Sequence, residues 1–442
     1  MATLLIHNAE VVSGTGRPVK GGWVLVDGSR VKSVGKGGAL PPADVVVDAG
    51  GDLLMPGMID THVHFRDPGL THKADIATES AAAVAGGVTS FIDMPNTNPP
   101  TTTLEAWQAK MERAADVSHA NYAFYIGATN TNLDAVLLRA DYGRVPGVKL
   151  FLGSSTGNLL VDSAEALRRL FAEVKAPIAV HAEDNARIAM HAALAREVFG
   201  QGNVPVECHS LIRDARACLD SSLTALRLAR ESGARLHLLH ISTAAEARLL
   251  REVKTDRITA ETCIQYLTFC DADYETAGAR IKCNPAIKSA TDRTALRKAL
   301  KDGVIDIVGS DHAPHLLSEK DGDALSAPSG MPGMQFQLPL LLDLFKPAEV
   351  ARMTSARPAE IFGIEGRGTI APGMFADLVR IGRREHEITD GDSLSRCGWT
   401  PAAGLTTGHT VVSTWVNGAL AYDGGRVADT LSAQPLTFNS VR

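Results

Sequence analysis

His62 and His64 stand two residues apart at the end of the apolar run LLMPGMIDTHVH. On an extended strand, residues i and i+2 point the same way, so both imidazoles can reach one ion. A lone H-x-H pair is a weak motif that recurs by chance. Three further candidates share its setting: His181 ends PIAVHAED, His240 ends LHLLHIST, and Asp311 lies in DIVGSDHAPH. Each closes a different apolar run. Four histidines and a carboxylate brought together from separate strands have the chemistry of a zinc site.

Lys149 adds a less usual ligand. It sits in GVKLFLG between Val148 and Leu150, on a run that should be buried. A buried, unpaired ammonium is costly and its pKa falls. A neutral amine can take up carbon dioxide, giving a carbamate able to bridge two metals. The plainer reading is a lysine head that reaches solvent at the strand end or pairs with Glu183 or Asp311. Beside four histidines, the ligand reading is preferred. Other groups receive structural roles. His237 is expected to face away from the site and pack, and His72, His119, His191 and His209 to be surface or capping residues. Glu183 either orients a ligand or is an ordinary loop carboxylate.

The elements that must position these groups alternate. Short apolar runs are followed by helical patterns: GVTSFIDMP by LEAWQAKMERAAD, PGVKLFLGSS by DSAEALRRLFAEV, APIAVHAED by ARIAMHAALAREV, and ARLHLLHIST by AAEARLLREVK. This rhythm predicts an α/β fold, a (β/α)8 barrel of the TIM type, with the polar residues at the C-terminal strand ends where such barrels keep their chemistry. Residues 2–49 and the C-terminal end instead show short strands with Gly-rich turns such as Asp27-Gly28. Neither end has enough strands for a sheet alone, so both are expected to build one small β-sandwich domain. The expected division is 1–54 and 370–442 for that domain and 55–369 for the barrel. Residues 318–333, rich in Gly, Pro, Ser and Asp, predict a long loop beside the site.

Composition narrows the function classes. A net charge of -6 argues against nucleic acid or an anionic membrane as partner. There is no basic, cleavable leader and no apolar stretch of membrane-spanning length. The six cysteines form no C-x-x-C pair, which predicts reduced thiols and a cytoplasmic location.

Across nearly the whole chain, PGMIDTHVHFRDPG, DMPNTNPPTT, VKLFLGSSTGN, HAED, HLLHIST, KCNPAIK and GSDHAPH resemble the amidohydrolase superfamily, and within it the dihydroorotases. The resemblance implies two zinc ions per chain. The first would take His62, His64, Lys149 as its carbamate, and Asp311; the second, Lys149, His181 and His240, with a hydroxide between the ions. It implies Asp311 as catalytic acid and base, and a small-molecule substrate, N-carbamoyl-L-aspartate or L-dihydroorotate. Arg66, Asn96 and His315 would hold the substrate carboxylate, and Asn284 the ring amide. Arg66 separates this group from allantoinases and hydantoinases, the nearest alternative; its plain alternative is a salt bridge to Asp67 or Asp75. A non-catalytic scaffold paralogue is a second alternative, although such chains usually lose ligands and this one keeps all six. The resemblance also implies a homo-oligomer, with a dimer as the expectation. Gln265-Tyr266 depart from the family pattern, where histidines are common. Gly153–Gly157 is expected to form a lid over substrate.

Overall fold

The computed structural model describes residues 2–153 and 159–439. Ser154 to Gly157, four of the five residues expected as a lid, lie outside them. Eight parallel strand positions make the barrel. They are β1 (Met58–Val63), β2 (Val88–Asp93), β3 (Asn121–Phe124, carried on by Ile126–Gly127), β4 (Val148–Phe151), β5 (Ile178–His181), β6 (Leu236–Leu238), β7 (Ile258–Cys263) and β8 (Ile307–Gly309). Every residue of these strands is buried. That explains why the barrel strands read as apolar runs and not as alternating patterns: both faces are covered. Neighbours pair in parallel from β1 through β3 and from β3 through β8. The ring closes where Val63 bridges His312 and the His64 N–H donates to the His312 carbonyl at 2.7 Å.

The intervening helices begin at the same end of the barrel as the strand C-termini. Asp75, Thr103, Ser163, Asp184, Asp214, Thr243 and Ser289 each accept from the backbone N–H three residues on, satisfying a donor that the helix itself leaves unpaired. The four helices predicted from periodicity form at Leu104–Val117, Ala164–Glu173, Asn185–Phe199 and Ala244–Val253. The sequence reading passed over β3 and β7. β7 carries Thr259, Glu261 and Thr262 and so presents no unbroken apolar run, whereas residues 122–126 of β3 do present one that was overlooked.

The two ends of the chain share one nine-stranded sheet. Its junction is the antiparallel pairing of Leu53–Pro56 with Leu378–Gly382. Leu4, Ile6, Val24 and Val26 from one arm share a core with Leu378 and Trp415 from the other, so the continuous sheet folds over its own apolar face. No described helix is long and apolar enough to cross a membrane.

One buried ion pair ties a helix to the barrel mouth. Lys110 donates to Asp93 Oδ2 and to the Met94 carbonyl, while Asp93 Oδ1 accepts from the Phe65 N–H at 2.8 Å. Both side chains are almost fully buried. Lys110→Ala would leave the Asp93 carboxylate buried without its cation, and should lower unfolding free energy by about 3–5 kcal/mol. Denaturant unfolding of metal-stripped protein measures this; an unchanged midpoint would show that Asp93 is held without the lysine.

Candidate metal centre and substrate cleft

The C-terminal ends of the strands surround a cleft of about 570 Å³, its mouth included. His62, His64, Arg66, Asn96, Lys149, His181, His240, Asn284, Asp311 and His315 all line it, together with Phe151, Ala313, Ser329 and Gly330. The structure thus brings all ten predicted site residues together. Ser329 and Gly330 come from the loop at 318–333, which apart from a short turn at Leu317–Lys320 carries little regular structure.

The local backbone is unusual at these positions. Among the described residues, five non-glycine residues have positive φ, and three of them line the cleft: Arg66 at 66°, His240 at 40° and Asp311 at 47°. The other two are asparagines, which tolerate this conformation. Histidine and aspartate also reach it more readily than most residues, so the arginine held there is the one that marks a site where function overrides local preference.

At one end of the cleft, His62 Nδ1 lies 2.5 Å from Glu261 Oε1, and His64 Nδ1 lies 2.7 Å from Asn96 Oδ1. Each imidazole donates from Nδ1, leaving the Nε2 lone pair facing the cleft. His62 Nε2 lies 3.2 Å and His64 Nε2 3.1 Å from Asp311 Oδ1. Two nitrogen lone pairs and a carboxylate oxygen thus converge, an arrangement that a cation satisfies. Burial pushes the His64 imidazole down to about 4, against the pull of Asp311, so it is neutral as a ligand must be. Burial alone would raise the Asp311 carboxyl, but the neighbouring His62, His64 and His240 rings outweigh it and hold the group below the usual carboxylate range.

The second cluster is adjacent. His181 Nδ1 lies 2.8 Å from His240 Nε2. His181 Nε2 is buried without a hydrogen-bond partner; Glu183 Oε2 is 3.2 Å away, but not in bonding alignment. Glu183 is itself fully buried and paired with Arg213, so it sits beside a candidate ligand and not in an ordinary loop. Lys149 is 1% exposed, and its Nζ lies over the Phe151 ring at 4.5 Å from the centroid. No described carboxylate lies within ion-pair distance, so neither alternative partner of Lys149 is engaged. Burial lowers its ammonium to about 7, with Asp311 and Glu261 pulling the other way. Orphaned nitrogen, converging lone pairs and a neutralised amine together fit a metal pair.

In the same cleft, Arg66 is 5% exposed. Its Nε donates to the Pro314 carbonyl at 3.0 Å and its Nη2 lies 3.1 Å from His315 Nε2. The salt bridge to Asp67 or Asp75 does not form, because those carboxylates pair with Arg113 and Arg396. Asn284 Oδ1 is buried without a partner. Tyr266 donates to the Pro285 carbonyl at 2.7 Å, so the residue that departs from the family pattern fixes the turn carrying Asn284. Gln265 is buried with both amide atoms unpartnered.

Two expectations about histidines have different outcomes. His237 packs away from the cleft, 2.9 Å from Thr259 Oγ1 and 3.4 Å from Glu261 Oε2. His209 is not a surface residue: it is 3% exposed, and its Nε2 donates to the Cys283 carbonyl at 2.9 Å, beside the Asn284 turn. The sequence reading also missed Glu261 and Asp60. Glu261 holds His62, and Asp60 Oδ1 accepts from the Ser310 and His62 N–H groups at 3.1 and 3.2 Å. The available signal was an acidic residue inside a buried strand, a placement that demands a partner.

Glu261 fixes the orientation of His62, and such outer partners typically contribute 10–100-fold to metal affinity. Glu261→Gln should weaken metal binding by about that factor. Competition with a chelator of known affinity would measure it, and unchanged affinity would show that His62 is held by packing alone.

Residues 53–421 match the family described as Amidohydrolase family. A dihydroorotase of Methanosarcina acetivorans is 34% identical over 402 residues, covering 86% of this chain and 84% of the relative. An allantoinase of Streptomyces avermitilis is 34% identical over 430 residues, covering 94% of each. Among solved structures, the L-hydantoinase of Arthrobacter aurescens superposes with a TM-score of 0.93 at 27% identity, covering 99% of this chain and 100% of its own. With the barrel, the terminal β sheet and the donor set on its strand ends, this chain belongs to the amidohydrolase family.

Proposed function

We propose that the protein is a dihydroorotase, closing N-carbamoyl-L-aspartate to L-dihydroorotate and reopening it, in the pyrimidine-synthesis direction and its reverse. Arg66 is the observation that carries this reading. Its guanidinium is buried in the cleft with no described carboxylate within ion-pair distance. A buried cation without a counter-ion is costly, and the ring carboxylate of dihydroorotate supplies one in a geometry that suits a planar fork. Asn284 Oδ1, also unpartnered, suits a ring N–H. The dihydroorotase relatives support this assignment. The allantoinase and hydantoinase similarities support a second reading within the same chemistry, but allantoin and hydantoin carry no ring carboxylate and would leave Arg66 unpaired.

The proposed metals are two zinc ions, one held by His62, His64, Lys149 and Asp311, the other by Lys149, His181 and His240, with Lys149 as its carbamate. When bound, they supply a Lewis acid for the ring carbonyl and lower the pKa of water. The chain's own residues do the rest. In hydrolysis, ionised Asp311 takes the proton of the attacking water and returns it to the leaving amide nitrogen. In cyclisation Asp311 begins protonated and the order reverses. Arg66, His315 and Asn284 fix the ring in the cleft, and Asn96 orients His64. A cytoplasmic setting accords with six free cysteines.

Turnover in both directions, with dihydroorotate and carbamoyl aspartate against allantoin, hydantoin and dihydrouracil, tests the assignment. Preferred turnover of any of these neutral rings would overturn it. Arg66→Met should raise KM for dihydroorotate by the equivalent of roughly 2–5 kcal/mol while metal content holds; an unchanged KM means the carboxylate is read elsewhere. For Lys149, the neutral, carbon dioxide-reactive amine dominates above about 7 and fades below it. At fixed dissolved ¹³CO₂, zinc-reloaded protein should gain a carbamate ¹³C resonance faster at about pH 8 than at about pH 6. Its absence at both would defeat the carbamate.

A further inference from the structure

His315 is surrounded by cations. Burial, reinforced by Arg66, Lys73 and Lys320, pushes its imidazole down to about 2, so the ring carries a single proton. A neutral imidazole donates from one nitrogen and accepts at the other, and what its neighbours offer decides which.

Lys73 Nζ lies 3.0 Å from His315 Nδ1. An ammonium only donates, so it requires a lone pair there. Glu319 Oε2 is the competing group, and would demand the opposite tautomer. It stands 3.7 Å from Nδ1, beyond hydrogen-bond range, and accepts instead from the Leu316 N–H at 2.9 Å. Glu319 Oε1 pairs with Lys73 Nζ at 2.8 Å and so anchors the ammonium against the ring. Arg66 Nη2, also a donor only, competes for the lone pair from the Nε2 side, but the Ser329 carbonyl on that side only accepts and so decides for a proton on Nε2.

At Nε2 the ring meets the Ser329 carbonyl at 3.2 Å. That carbonyl is fixed from both sides, because Lys320 Nζ donates to the Pro328 and Gly330 carbonyls, each at 2.8 Å. Arg66 Nη2 lies 3.1 Å from the same Nε2. With Nε2 protonated, that contact sets one donor against another. An acceptor placed between them satisfies both, and a carboxylate is a stronger acceptor than the Ser329 carbonyl.

We propose that Lys73, anchored by Glu319, is a positioning residue that fixes His315 as its Nε2–H tautomer, so that His315 and Arg66 present converging donors to an anionic oxygen of the substrate. This rests on the carboxylate-bearing substrate proposed above. It adds a residue outside the cleft lining to the machinery that selects an anionic ring over a neutral one. It also accounts for a lysine placed against an imidazole beside an arginine: Glu319 already pairs with Lys73, so the Arg66 guanidinium is left to meet the ligand.

The test separates tautomer from turnover. Ring ¹⁵N spectra of histidine-labelled, substrate-free protein, assigned by difference with His315→Asn, should show Nδ1 unprotonated and Nε2 protonated in the wild type. Lys73→Met should shift the ring toward the Nδ1–H form, and Lys73→Arg should preserve the wild-type pattern. In kinetics, Lys73→Met should raise KM for dihydroorotate by about tenfold or more with kcat little changed, and Lys73→Arg should recover most of the loss. An Nδ1–H signal in the wild type, or a ring unaffected by Lys73→Met, overturns the proposal. A ring that shifts as expected with no change in KM overturns the link to substrate. Absence of dihydroorotate turnover in the wild type would reject the assigned activity, while the ring signals still decide the role of Lys73.

Discussion

Asp60 stands where the first and last barrel strands meet, and the site depends on that seam. One carboxylate oxygen accepts from the backbone on both sides of the closure, from Ser310 and from His62. Ser310 Oγ adds a bond to the His62 carbonyl at 3.3 Å, and the His64–His312 backbone bond locks the next turn. Three of the metal-ligand candidates, His62, His64 and Asp311, leave the barrel within three residues of this knot. Their convergence is therefore a property of ring closure and not of loop folding. The group is itself in tension: burial raises the Asp60 carboxyl to about 6, against the hydrogen bonds from Ser310 and His62 that favour its charge.

The cleft is divided electrostatically. One wall gathers lone pairs and carboxylates, from His62, His64, His181, His240 and Asp311. Arg66 in the lining, with Lys73 and Lys320 behind it, surrounds His315, which burial and these charges keep neutral. Burial lowers the Arg66 guanidinium to about 10 and the Lys320 ammonium to about 7, which shows how little water is left to stabilise these charges. The lone pairs call for a cation and Arg66 calls for an anion, so each part is incomplete alone. Left-handed backbone at Arg66, His240 and Asp311 adds a local cost of about 1–3 kcal/mol each. The closed barrel, whose strands are covered on both faces, offsets it.

Much of this was legible because barrels write their chemistry at strand ends. An apolar run followed by a histidine or aspartate is a local pattern, and four such runs gave five of the ligand candidates. Lys149 was legible for the same reason: a lysine inside VKLF is an anomaly whatever the fold. What could not be read was how side chains pair across strands. Glu261 was visible only as a polar residue in a strand that did not look like one. Asp60 lies two residues from His62, yet its role depends on Ser310, 250 positions away. His209 looked like a surface residue because its helix is one turn long, and only the packing against Cys283 buries it. Asn96 lines the cleft, and its oxygen also meets His64, a contact no spacing predicts.

The junction of Leu53–Pro56 with Leu378–Gly382 sets an order on the life of the chain. The strand that leads into the barrel leaves the ribosome early, and one of its two sheet neighbours leaves only after the whole barrel has been made. Until then its edge is open, with backbone donors and acceptors exposed to any passing strand. The barrel thus matures beside an unfinished sheet. A ribosome that stalls before Leu378 would therefore release a chain with a full set of ligand candidates and an unguarded, association-prone edge.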